Sequence, residues 1–203
     1  MNTPVVAGGS TILGSGPPGP SQGLYEGYAL EEARTPADDG EGRVSVLTLD
    51  HAMREDIVSH LWAAMPNEGV ALLGEPDRGA SVSVRPTRFY PGTNSLHSPV
   101  RYQMDWTELV TALRDMERNG LRLAVIAHSH TRGPARPSAT DLAEAWYPDT
   151  LMLIVSFASD PPDLRAWALD GEAGSWRPRE VQIVHEGHAG DVAGIALPGD
   201  VRE

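Results

Sequence analysis

The chain has 203 residues, enough for one domain with a substantial core, and no cysteine, which excludes a disulfide framework, a thiolate metal site and a cysteine nucleophile. Its formal net charge of −12 disfavours nonspecific nucleic-acid binding, which depends on neutralising phosphates. All 16 basic residues are arginine, so there is no lysine for isopeptide modification, and no apolar stretch reaches the length of a transmembrane helix.

Residues 1–43 are dominated by Gly, Pro, Ser and acidic side chains. Such a composition cannot offset the entropy of ordering, so a disordered arm is expected there. The opening MNTPVVAGGSTILG lacks a positive n-region and an apolar h-region, which argues against a signal peptide. With the absence of cysteine, a cytoplasmic location is expected. VSVLTL (44–49) reads as a strand, and Asp50 as the cap of a helix carrying Met53, Ile57, Leu61 and Ala64 on one face, ended by Pro66. GVALLG (69–74) and SVSVRPTRFY (81–90) are the next strands, with Pro86 implying an edge or a bulge. Asp105 caps a second helix lined by Leu109, Leu113 and Met116 and stopped by Gly120. LRLAVIAH is a buried strand, TRGPARP a loop, and SATDLAEAW a helix. Strands follow at 150–157, 164–170 and 181–186, and residues 187–203 form a tail. Strands and helices interleave, yet several strands succeed one another directly. That order implies an α+β fold, a mixed β-sheet flanked by helices.

One string concentrates the chemistry: HSHTRGPARPSATD, residues 128–141. Side chains two apart on a strand share a face, so His128 and His130 can grip one ion from the strand's end. Ser138 falls at the helix N-cap and Asp141 one turn in. Ser-x-x-Asp is by itself a capping box. Two imidazoles and a carboxylate also match a catalytic zinc site, where three protein ligands leave a fourth position for water.

This segment resembles the JAMM (MPN+) metalloproteases, whose signature is His-x-His, seven residues, Ser, two residues, Asp, all of it present here. ARPSATDLA is similar to the bacterial branch, as is NSLHSPVRYQMD, and the resemblance spans roughly residues 44 to 186. It implies a mixed sheet with cytidine-deaminase-like layering and one Zn²⁺ per domain on His128, His130 and Asp141. It also assigns Glu68, in MPNEGVALLGE, as the acid/base from an earlier strand, with Glu75 the nearby competitor. Thr131 stands where the family usually has proline, and Val70 where bacterial members often have cysteine.

The resemblance implies hydrolysis of an amide by metal-activated water. Glu68 would act as general base and then acid, with Ser138 donating to the oxyanion. It further implies a zinc peptidase cutting after a Gly-Gly end and trimming a ubiquitin-like sulfur-carrier protein, with no nucleic-acid or membrane partner. Arg132 and Arg136, flanking the metal loop, suit a substrate carboxylate or ordinary surface positions. Three alternatives stand beside this reading. One is an isopeptidase removing ubiquitin-like modifiers, another a non-catalytic MPN scaffold, and the third a RadC-like protein, whose helical DNA-associated region is replaced here by Gly/Pro-rich sequence. His51, His60, His97, His185 and His188 read as structural or solvated, and Trp106, Trp146 and Trp167 as packing residues.

Overall fold

The computed structural model describes residues 43–79, 81–147 and 149–186. The expected arm, apart from Arg43, and the expected tail with His188 lie outside the described residues. The element order is β1 (Val46–Asp50), α1 (His51–Ala63), β2 (Val70–Pro76), β3 (Ser83–Val84), β4 (Arg88–Gly92) and α2 (Trp106–Arg118). It continues with β5 (Leu121–His130), α3 (Ala139–Ala143), β6 (Leu151–Ser156), β7 (Asp163–Asp170) and β8 (Arg177–Glu186). Both long helices begin at the expected caps: Asp50 accepts from the Met53 amide at 2.7 Å, and Asp105 from Thr107 and Glu108. Gly120, at φ 64°, takes the left-handed turn that ends α2.

The strands form one mixed sheet in the order β3-β1-β8-β7-β6-β5-β2-β4, which makes the fold α+β as expected. Residues 70–74 of β2 and 151–155 of β6 are unbroken apolar runs because both faces are covered there. Ala71 and Leu73 of β2, with Leu153 and Val155 of β6, share a core with Ile57 and Leu61 of α1. The alternate residues face the other way. Val70 and Leu72 pack with Ala112 and Met116 of α2, while Met152 and Ile154 pack with Trp167 and, beside them, Leu142 of α3. Ile126 joins the α2 side, so by alternation His128 and His130 project on that face too, between α2 and α3. Among the described residues no helix is long and apolar enough to cross a membrane.

Three expectations need correction. The single strand over 81–90 is two strands, β3 and β4, on opposite edges of the sheet. Pro86 has no amide to give a ladder, and the Arg85 amide donates to the buried Glu75 carboxylate at 2.7 Å instead. In a flat eight-stranded sheet those edges would stand roughly 34 Å apart. The three residues joining β3 to β4 span only about 14 Å between the flanking Cα atoms, so the sheet must curl. The helix expected over SATDLAEAW is only Ala139–Ala143. Trp146 is 72% exposed, so little apolar burial favours another turn, and the Ala145 carbonyl accepts from Trp176 Nε1 at 3.3 Å. Of the three tryptophans expected to pack, only Trp167 is buried; Trp106 and Trp146, each near a helix end, are exposed.

Candidate metal centre

β5 runs through both histidines, and its partners on either side fix them: His128 lies opposite Val70 of β2 and Ile154 of β6. After His130 the chain turns through a loop that is well tied down. Ser156 Oγ donates to the Gly133 carbonyl at 2.6 Å, and Trp167 Nε1 to the Ala135 carbonyl at 3.0 Å. The loop delivers Ser138 to the N-cap of α3. There the Ser138 hydroxyl accepts from the Asp141 amide at 3.1 Å, and the Asp141 carboxylate accepts from the Ser138 amide at 2.7 Å. The capping box is therefore real, and it aims Asp141 at the histidines.

His128, His130 and Asp141 are all buried and converge. The two Nε2 atoms lie 3.3 Å apart, and Asp141 oxygens stand 3.5 Å from His128 Nε2 and 3.3 Å from His130 Nε2. His130 Nδ1 lies 2.7 Å from the Pro134 carbonyl. A carbonyl only accepts, so Nδ1 carries the proton and, in the neutral ring, Nε2 presents its lone pair to the cluster. Such atoms aimed at one another repel unless a proton or cation lies among them. The spacing fits a small ion: bonds of about 2.0–2.1 Å meeting at tetrahedral angles separate neighbouring donor atoms by roughly 3.3–3.4 Å. These three side chains could therefore hold a metal ion.

The electrostatics follow from burial and pairing. Burial raises the Asp141 carboxyl, but its hydrogen bonds with His128 and His130 win and hold it well below the usual carboxylate range. Burial lowers His128, against the opposing pull of Asp141. For His130 burial acts in the same direction, yet Asp141 and the Pro134 carbonyl leave it raised. Glu68, two residues ahead of β2, is 4% exposed, and burial pushes its carboxyl up to about 7, His130 pulling it down and Asp141 adding to the rise. Its Oε2 is buried without a hydrogen-bond partner. Gly69 is needed beside it, since a Cβ there would sit 2.9 Å from the Leu61 Cα.

Glu68, His130 and Ser138 line one cavity of about 540 Å³, together with Pro99, Val100 and Arg132. Arg136 is exposed and is not among the residues lining it. Glu75 lies at the opposite end of β2, buried and paired with Arg122. His60 donates to the carbonyls of Val70 and Gly92 at 3.0 and 3.2 Å, pinning α1 to the sheet. His51, His97 and His185 are exposed. Sequence reasoning missed three contributors. Asn94 is buried and donates to the Glu68 carbonyl; Tyr102 stacks on His128 at 4.5 Å; Ser129 Oγ accepts from the Gly69 amide at 2.8 Å. The NSLHSPVRYQMD stretch contained two of them but gave no sign of what they touch.

Several known proteins are similar to this chain. A CysO-cysteine peptidase of Mycobacterium tuberculosis is 35% identical over 116 residues, covering 57% of this chain and 77% of the relative. A probable TtuB-protein conjugate cleaving protease of Thermus thermophilus is 37% identical over 101 residues, 49% of this chain and 64% of the relative. The solution structure of a protein from Desulfitobacterium hafniense matches with a TM-score of 0.61 and 32% identity, covering 70% of this chain and 94% of that one. The family model for prokaryotic homologs of the JAB domain matches residues 50–170, which contain Glu68, both histidines, Ser138 and Asp141. The chain belongs to this prokaryotic JAB, or JAMM, family.

Proposed function

We propose that this chain is a zinc-dependent peptidase that hydrolyses the amide bond after a Gly-Gly end, trimming the C-terminus of a ubiquitin-like sulfur-carrier protein. The convergence of His128, His130 and Asp141 beside a cavity lined by buried Glu68 carries this reading. The peptidase names of its relatives support it. Held by those three side chains, zinc supplies Lewis acidity, polarising a carbonyl and making water a better nucleophile. The rest falls to the protein. A carboxyl raised to about 7 can both take and return a proton near neutrality, so Glu68 accepts a proton from the attacking water and delivers it to the leaving nitrogen. The Ser138 hydroxyl uses only its oxygen to cap α3, which leaves its proton to donate to the carbonyl oxygen as charge builds there. Arg132, on the cavity wall, meets the terminal carboxylate of the released residues.

Ser138→Ala should lower kcat by about 10²–10³-fold and stability by about 1 kcal/mol, since one hydroxyl serves the oxyanion and the helix cap. Steady-state kinetics and urea denaturation read the two losses separately. Arg132→Ala should raise KM by about tenfold for an extended carrier, with zinc content unchanged.

The defining experiment is intact-mass spectrometry of a ubiquitin-like protein ending in Gly-Gly plus a short extension, incubated with the zinc-loaded enzyme. The expected product ends at Gly-Gly. An isopeptide-linked conjugate of the same protein, run in parallel, tells whether a protein conjugate, the kind of substrate in the Thermus relative's name, is also cut. No cleavage, or equal cleavage when bulky residues replace Gly-Gly, overturns the substrate assignment.

A further inference from the structure

We propose that Asn94 is a positioning residue of this site, locking the loop 94–104 onto the backbone of Glu68 so that its carboxyl stands in place for proton transfer. The inference rests on the reading of Glu68 as the proton carrier and goes beyond it.

Glu68 precedes β2 and so lies outside the sheet's hydrogen-bond ladder. Its main-chain groups are held by the loop instead. The Glu68 amide donates to the Ser98 carbonyl at 2.9 Å, and the Glu68 carbonyl accepts from Asn94 Nδ2 at 2.9 Å. Asn94 is 7% exposed, and its amide is fully used. Nδ2 also donates to the Arg101 carbonyl at 2.9 Å, while Oδ1 accepts from the amides of Leu96 and Gln103 at 3.1 Å each. One side chain thus shapes the loop with its oxygen and ties it to Glu68 with its nitrogen. The loop's base is closed by the Asn94–Met104 bridge and by the Ser95 amide donating to the Gln103 carbonyl at 2.8 Å.

The same loop reaches the other parts of the site. Tyr102 lies nearly parallel to the His128 ring, at 24°. His128 Nδ1 has no hydrogen-bond partner, so the stacking on Tyr102 and the Asp141 contact at Nε2 together orient that imidazole. Thr131 Oγ1 donates to the Pro99 carbonyl at 3.1 Å, a tie the family's usual proline could not make. Arg101 pairs with Glu144, the C-cap of the helix bearing Asp141. A loop anchored at four points around a reaction centre transmits a small displacement directly to it.

The test compares zinc-loaded wild type, Asn94→Ala and Glu68→Gln in the full chain, using the Gly-Gly-extended carrier and backbone amide exchange. Asn94→Ala is expected to lose about 10–100-fold in kcat with KM nearly unchanged. Zinc content should stay at the wild-type value. Exchange should rise at the Glu68 amide while Val125 and Ala127 in β5 stay protected, a pattern that general loosening would not give. Asn94→Asp keeps the acceptor for Leu96 and Gln103 but lacks the donor to Glu68, and is expected to show the same kcat loss if Asn94→Ala folds poorly. Normal kcat in Asn94→Asp or Asn94→Ala beside an inactive Glu68→Gln overturns the proposal and leaves the functional reading intact. Loss of protection throughout β5 would make Asn94 a folding residue and overturn it equally. A fully active Glu68→Gln removes the reading of Glu68 itself, and the proposal with it.

Discussion

Glu68→Gln should lower kcat by about 10²–10⁴-fold while the protein keeps its full complement of metal, because the amide preserves size and shape but cannot carry a proton. The site makes this substitution unusually clean. Glu68 Oε2 has no hydrogen-bond partner, so changing that atom breaks no bond, and the loop 94–104 holds the residue by its backbone rather than its carboxyl. The change also replaces a buried acid, raised to about 7, by a neutral group, so folding should not suffer. Kinetics on the extended carrier, with zinc measured by elemental analysis, separate chemistry from binding. Near-normal turnover would mean that another base serves the reaction. Glu75, the nearest alternative in sequence, is engaged by Arg122 and by the Arg85 amide at the other end of β2.

His128→Ala attacks the other half of the site. It removes one of three converging ligand atoms and the ring on which Tyr102 stacks, and two remaining ligands hold zinc poorly. The expected loss of zinc affinity exceeds the roughly 10–100-fold typical of removing a supporting partner, and activity should fall with it. Competition titration against a chromogenic chelator measures this directly. Wild-type affinity in the variant would move the ion away from this cluster.

The two variants draw on features that differ in how far the sequence revealed them. The period of two along β5 placed His128 and His130 on one face, and Ser138 with Asp141 formed the cap that their spacing implies. These are local patterns, written within a turn or a strand. Curling of the sheet was not local: it follows from one apparent strand being divided at Pro86 between the two ends of the strand order, which a short connection holds together. Asn94 lies 26 residues from Glu68 and meets it through a main-chain carbonyl, an atom every residue possesses. Nothing in residue type signals that pairing, because it arises only when Glu68 falls outside the ladder. The length of α3 departs from its sequence pattern for a related reason. Trp146 looks like a packing residue in sequence, and only the fold shows that it stands 72% exposed.

The measurement that bears most directly on the central claim is a zinc titration of the chelator-stripped chain, with hydrolysis of the Gly-Gly-extended carrier followed at each addition. Activity should be absent at the start, rise linearly, and level off at one equivalent of zinc per chain, while His128→Ala shows no such rise. Full hydrolysis by the stripped protein, or activity that climbs without regard to His128, would contradict the account.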